Sequence, residues 1–150
     1  MTEIIGKDTD RQGSEVVLYF VKYSDVDSKV SAFFLRQWAS LIESGHANSN
    51  YVPNVAQSRI IYATMGEKIV GHLLWEWHNS VSYIVFTVVD PAFRRRGLYE
   101  ILHKFYDQRM ISGATTVSRS SLHVNNAAVI AAAEKNGYEV EFLKMRKNYK

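Results

Sequence analysis

Between Val81 and Glu100 the chain passes from an almost unbroken apolar run into an amphipathic helix, across a turn carrying three consecutive arginines and a glycine. The run Val81–Val89 has the composition of a central strand covered on both faces. Asp90-Pro91 ends it, Arg94-Arg95-Arg96-Gly97 follows, and Leu98, Ile101, Leu102, Phe105, Tyr106 and Met110 then recur on one helical face as far as Gly113. A helix start exposes unpaired backbone N–H groups and the positive end of the helix dipole. Glycine lets the backbone approach a ligand closely, and the arginines add formal charge. The stretch therefore reads as an anion site suited to a phosphate or pyrophosphate. It has too few glycines for a P-loop and lacks the glycine spacing of a dinucleotide fold.

The rest of the 150 residues supports one folded domain. A hydrophobic fraction of 47% argues against disorder. No apolar run is long enough to span a bilayer and no signal peptide opens the chain, so no membrane association is expected. The absence of cysteine excludes disulfides, thiolate metal sites and a cysteine-bound acyl intermediate, and fits a cytoplasmic location. Charge is unevenly divided. Residues 1–93 hold 7 basic and 10 acidic side chains, whereas residues 94–150 hold 11 basic and 5 acidic. The basic half could meet nucleic acid or an anionic cofactor, and the triple arginine favours the cofactor.

Residues 1–14 are polar and aperiodic, and read as a flexible N-terminal segment ahead of a domain spanning 15–150. Glu15–Tyr23 reads as a buried strand. Ser24, Asp25 and Asp27 offer caps for a helix carrying Val30, Phe33, Phe34, Trp38 and Leu41, which Gly45 stops. Residues 46–58 are rich in turn formers. Arg59–Met65 and Lys68–His78 form a hairpin about Gly66-Glu67, followed by Val81–Val89. After the helix from Leu98 come a strand over 115–124, a helix over 126–136 and a last strand over 138–146. This order predicts an α/β domain with one mixed, mostly antiparallel sheet flanked by helices.

The pattern Arg94-x-x-Gly97-x-Tyr99, behind a buried strand and Asp90-Pro91, resembles the coenzyme A turn of the GNAT superfamily of acyl-CoA-dependent N-acyltransferases. That turn runs Arg or Gln, two residues, Gly, one residue, then Gly or Ala; the third fixed position is here a tyrosine. Asn126 through Glu134-Lys135-Asn136-Gly137-Tyr138 resembles the family's second landmark, an Asn opening a helix that closes on Glu-Lys, any residue, Gly and an aromatic. The resemblance spans about residues 58–145. It implies a GNAT-like fold in which the central strand and the next splay apart into a cleft, and acetyl-CoA as cosubstrate without a metal. The diphosphate would lie on Arg94, Arg95, Arg96, Gly97, Leu98 and Tyr99, and the pantetheine arm along Thr87, Val88 and Val89, with Asn126 across the cleft. A helix-capping role for Asn125 or Asn126 is the simpler alternative.

The implied reaction is direct transfer of an acetyl group to a primary amine, on a small molecule or a protein, in a ternary complex. A lysine-like amine costs about 4.6 kcal/mol to deprotonate at pH 7, so a base should speed attack. Several family members place a glutamate near the start of the central strand. Tyr83 occupies that position here, and Tyr83 can order water. Glu76 on the neighbouring strand is the leading base, with His78, His72 and His123 behind it. Ala133 stands where many members carry an acidic tyrosine. His72, Glu76 and His78 share a strand face, but a metal would need a further ligand from elsewhere, and none is expected. Trp75, Trp77, Tyr83 and Tyr62 would favour a small or apolar acceptor, unless they belong to the core. Residues 46–58 would lie near the acceptor mouth in such a fold, or form a plain surface loop. A homodimer is left open. Two other readings remain: an acyl-CoA-binding module that has lost catalysis, suggested by Tyr99 and Ala133, and a nucleic-acid binder using Lys144, Arg146, Lys147 and Lys150. The second lacks an aromatic-basic motif and ranks last.

Overall fold

The computed structural model describes residues 1–46, 54–122, 125–141, 145 and 147–149. Its strands are β1 (Glu3–Thr9), β2 (Glu15–Lys22), β3 (Ser58–Met65), β4 (Lys68–His78), β5 (Val81–Val89) and β6 (Val117–Ser120). The helices are α1 (Ser28–Glu43), α2 (Leu98–Ser112) and α3 (Ala127–Lys135). The strands form one sheet in chain order. Every pair is antiparallel except β5 with β6, which the α2 crossover makes parallel. This is the expected single-domain α/β architecture with a mostly antiparallel sheet.

Alternation along the strands divides the core between two faces. Val30, Phe33 and Phe34 of α1 pack with Ile60, Tyr62, Leu74, Phe86 and Val88. Leu98, Leu102, Phe105 and Tyr106 of α2 pack with Leu18, Ile61, Leu73, Trp75 and Ile84 on the other face. Each large side chain so buried contributes roughly 1.5–3 kcal/mol. α1 begins where Asp27 accepts hydrogen bonds from the Lys29 and Val30 amides at 2.9 and 3.0 Å.

Three expectations require correction. Residues 3–9 are not an aperiodic segment but the edge strand β1, paired with β2 from Glu3↔Phe20 to Thr9↔Glu15. Its pattern is masked because an edge strand needs few apolar residues and because α2 crosses it at Gly6, where a Cβ would strike the Phe105 ring. The strand after α2 is shorter than the apolar pattern suggests, covering Val117–Ser120; residues 123 and 124 lie outside the described residues. Residues 138–141 are not in a strand, and the remainder of that predicted strand falls largely outside the described residues, together with Lys144, Arg146 and Lys150. Of the 46–58 stretch, residues 47–53 are likewise outside, and 54–57 form a turn closed by Gln57 N–H on the Asn54 carbonyl.

Candidate active site

The site begins with a change of parity inside β5. Leu74 pairs with Phe86, but Trp75 pairs with Ile84, so Val85 is an extra residue, a β-bulge. Ser82 and Ile84 face α2 before the bulge. Beyond it, Phe86 and Val88 face α1 while Thr87 and Val89 face α2. The parallel pairing with β6 stops at the same level, with Ile84↔Ser120. Among the described residues, Val85–Val89 therefore run on without β6 beside them. The main-chain groups of Thr87, Val88 and Val89 on the β6 side are thus, among the described residues, beyond the end of the parallel ladder.

At the far end of that edge the chain turns. Asp90 accepts from the Ala92 amide at 2.9 Å, and Pro91 starts a single 3-10 turn. Arg95 and Gly97 both adopt left-handed backbone, with φ of 62° and 82°. Only glycine takes the latter without strain, and a Cβ there would also lie 3.4 Å from the Arg11 side chain. The first intrahelical bond of α2 is Ile101 N–H to Gly97 O, and Gly97 supplies no side-chain cap. The amides of Leu98, Tyr99 and Glu100 thus have no acceptor within the helix. Leu98 is buried and seats this turn in the core.

The three arginines divide by role. Arg96 is held by the N-terminal hairpin: its Nε donates to Asp10 Oδ2 at 2.6 Å and its Nη2 to Ser14 Oγ at 3.2 Å. The Asp10 carboxylate is fully buried and also accepts from the Ser14 and Gln12 amides. Burial pushes its pKa up, but these hydrogen bonds and the guanidinium outweigh that and hold it below the usual carboxylate range. Arg94 Nε reaches back to the Val89 carbonyl at 3.3 Å. Arg95 is exposed. The run of three charges is therefore one structural residue, one that braces the strand end, and one that faces solvent.

Tyr99 points along its own helix. Its ring stacks on His103 one turn later, with centroids 4.3 Å apart and planes 27° apart, so it leaves the helix start clear. Burial pushes the phenol up to about 12. Burial likewise pushes His103 down to about 4, and the neutral ring sets Nε2 3.3 Å from Thr87 Oγ1. Its Nδ1 has no hydrogen-bond partner among the described residues. Sequence reasoning missed His103, although its position four residues after Tyr99, on the apolar face of α2, was the available signal.

Where β5 and β6 are still paired, four hydroxyls form a chain. Tyr138 Oη lies 2.8 Å from Ser118 Oγ, Ser118 lies 2.6 Å from Tyr106 Oη, and Tyr106 donates to Ser82 Oγ at 2.6 Å. Since each hydroxyl has one proton, Tyr106 donating to Ser82 obliges Ser118 to donate to Tyr106 and Tyr138 to donate to Ser118. The chain ties α2 and the residue following Gly137 to the closed end of the cleft. Asn126 is the residue before α3, half-buried, and its side chain makes no capping bond. Ala133 is buried.

The proposed acceptor-side residues gather at the other end of β4 and β5. Glu76 and Tyr83 are cross-strand partners. Glu76 Oε1 accepts from the Asn54 amide at 3.3 Å, and Oε2 lies 3.4 Å from His78 Nε2. The Tyr83 ring meets His78 edge-on at 5.5 Å. Tyr83 is also the cross-strand partner of Arg119 on β6, which makes a bidentate pair with Glu141. His72 is not with them: it is fully buried against Phe33, Phe34 and Phe86. His123 lies outside the described residues. Trp75 and Tyr62 are core residues, so of the four aromatics only Trp77 and Tyr83 reach the surface.

A helix start with amides lacking helix acceptors, at the end of a strand whose parallel ladder is short, invites comparison with known proteins. Solved structures share the fold at low identity. An aminoglycoside acetyltransferase from an uncultured soil metagenomic sample, in complex with sisomicin, superposes with a TM-score of 0.65 at 14% identity, covering 90% of this chain and 97% of its own. The aminoglycoside N-acetyltransferase AAC(6')-Iy in complex with CoA gives 0.62 at 15% identity, with 93% and 99% covered. An integron cassette protein from the mobile metagenome of V. cholerae gives 0.68 at 13%, with 90% and 92% covered. Comparison with curated protein sequences gives no match. The family model for the acetyltransferase (GNAT) family matches residues 28–138, from the first residue of α1 to the tyrosine at the end of the hydroxyl chain. The chain belongs to the GNAT acetyltransferase family.

Proposed function

We propose that this protein moves an acetyl group from acetyl-CoA to a primary amine of a small molecule. The observation that carries the reading is the α2 turn: three amides without helix acceptors, opened by a left-handed glycine at the end of a strand whose parallel pairing, among the described residues, stops at Ile84. The residues present fit a pantetheine diphosphate. Leu98, Tyr99 and Glu100 offer amides to the diphosphate, Arg95 adds an exposed charge, and Thr87, Val88 and Val89 offer main-chain groups to the pantetheine arm. Asn126, whose side chain is not used in helix capping, would bond the pantetheine arm from the start of α3. Arg94 and Arg96 act by shaping the turn.

When bound, acetyl-CoA supplies an activated acetyl thioester. The chain's own part is to hold the donor, strip the amine of its proton and orient it. Glu76 is the leading base because it is largely shielded and faces Tyr83 across the strand pair. Its carboxylate first takes the ammonium proton, directly or through a water ordered by Tyr83, and so frees the nitrogen lone pair. That nitrogen would then bond to the thioester carbonyl carbon while the carbon–sulfur bond breaks, and the departing CoA thiolate would take up the second proton that the nitrogen loses. The structural likeness to aminoglycoside acetyltransferases supports a small-molecule amine as acceptor. A cysteine-free chain using acetyl-CoA fits the cytoplasm. The non-catalytic alternative loses one of its two motives, because the Tyr99 ring lies over His103 and not over the turn.

Calorimetric titration with acetyl-CoA tests the reading. The wild type should bind in the micromolar range, and Gly97→Pro, which cannot reach φ of 82°, should lose that binding. Gly97→Ala provides a milder variant whose fold is checked by circular dichroism. A wild type that does not bind acetyl-CoA overturns the reading.

A further inference from the structure

The N-terminal hairpin lies outside the family match, yet its loop docks on the α2 turn. Asp10 fixes Arg96, and Arg11 N–H donates to the Arg96 carbonyl at 3.0 Å. These two bonds deliver the Arg11 side chain to Gly97, with its Cγ and Nε each 3.4 Å from where a Cβ would stand. The guanidinium extends over the first turn of α2 and meets Glu100 Oε1 at 3.2 Å through Nη2. Both partners are exposed, at 59% and 41%. Arg96 is spent on Asp10 and Ser14, and Arg94 Nε on Val89 O. Beside these amides the exposed cations are therefore Arg94, Arg95 and, from 86 residues earlier in the chain, Arg11, which reaches over the first turn of α2.

We propose that Arg11 is a phosphate-binding residue of the acyl-donor site, positioned by the Asp10–Arg96 pair. This rests on the reading of the α2 turn as the donor's diphosphate site. In the free protein Glu100 holds the Arg11 guanidinium at the helix start. A diphosphate on the Leu98–Glu100 amides exchanges for that carboxylate as the second partner of the fork. The hairpin then works as a third wall of the donor site, built from residues that the family pattern does not include.

The test is calorimetric titration of CoA, dephospho-CoA and pantetheine into the wild type, Arg11→Ala and Arg11→Lys. The Arg11–Glu100 pair is exposed, so the variants keep the wild-type thermal midpoint. Arg11→Ala should weaken CoA and dephospho-CoA alike by roughly tenfold, leave pantetheine unchanged, and make CoA binding less sensitive to salt. Arg11→Lys should recover part of the loss, as a charge without the fork. Glu100→Gln should tighten CoA. Equal CoA affinity in Arg11→Ala and wild type overturns the proposal while leaving the donor site intact. So does a loss that extends to pantetheine, or one that disappears with dephospho-CoA. Failure of the wild type to bind CoA removes the donor site itself, and Arg11 with it.

Discussion

The Tyr99 phenol lies flat on the His103 imidazole, 4.3 Å between centroids, one helical turn apart on α2. A bulky residue is thereby accommodated at a helix start that the family pattern keeps slim. The same stack walls off an imidazole whose Nε2 faces Thr87.

Removing the stack should therefore be visible at the histidine. In Tyr99→Ala the His103 ring gains water, and its pKa should climb from about 4 toward the ordinary value of about 6.5. Tyr99→Phe should leave it low. Imidazole proton shifts followed by NMR between pH 4 and 8 report this directly. An unchanged titration in Tyr99→Ala would mean that the stack does not exclude water.

Two buried histidines should make the fold acid-labile well above the carboxylate range. His72 and His103 are both pushed down to about 4, chiefly by burial. The unfolded chain takes up their protons first, near pH 6.5. Their contribution is complete above that pH and is lost as pH falls toward 4. At pH 5 the loss is roughly 2 kcal/mol per histidine. Urea unfolding at pH 7.5 and 5 measures it, and His72→Leu should flatten the slope by about half.

The lock between Asp10 and Arg96 should be expensive to break. Asp10→Ala leaves a largely buried guanidinium and two backbone amides without their acceptor. A destabilisation of about 2–4 kcal/mol is expected at pH 7, read by chemical denaturation. Because the folded carboxyl is held below its ordinary pKa, its contribution persists through neutral pH and fades only as pH falls below about 4. A loss under about 0.5 kcal/mol would show that the hairpin docks without this pair.

Ser118 is the hub of the hydroxyl chain at the closed end of the cleft. Ser118→Ala should cost about 1–3 kcal/mol, because the Tyr138 hydroxyl loses its acceptor and Tyr106, which still donates to Ser82, loses its donor. Tyr106→Phe should cost a similar amount. Hydrogen exchange should show β6 opening first, since among the described residues its ladder with β5 covers just Val117–Ser120.

For catalysis, Glu76→Gln should lower kcat by about a hundredfold or more, with little change in donor affinity, and its rate should keep rising with pH as free amine becomes available. Equal kcat in wild type and Glu76→Gln would remove Glu76 as the base.

What the sequence by itself determined is local. The strand from Val81, the break at Asp90-Pro91, the glycine before Leu98 and the apolar stripe of α2 specify a strand–turn–helix unit because each depends on neighbours within a few residues. Family membership followed from the same stretch and from Asn126–Tyr138. Tertiary structure alone decided how the charges are used. Arg96 is structural because Asp10, 86 residues away, is buried beside it. Residues 3–9 are a strand because β2 offers a paired edge, although their own pattern is weak. The bulge at Val85 sets which β5 side chains meet α1 and which meet α2, and it shows only in the register against β4. Hydrophobic spacing records which face of an element is buried; it does not record which distant polar group will be waiting there.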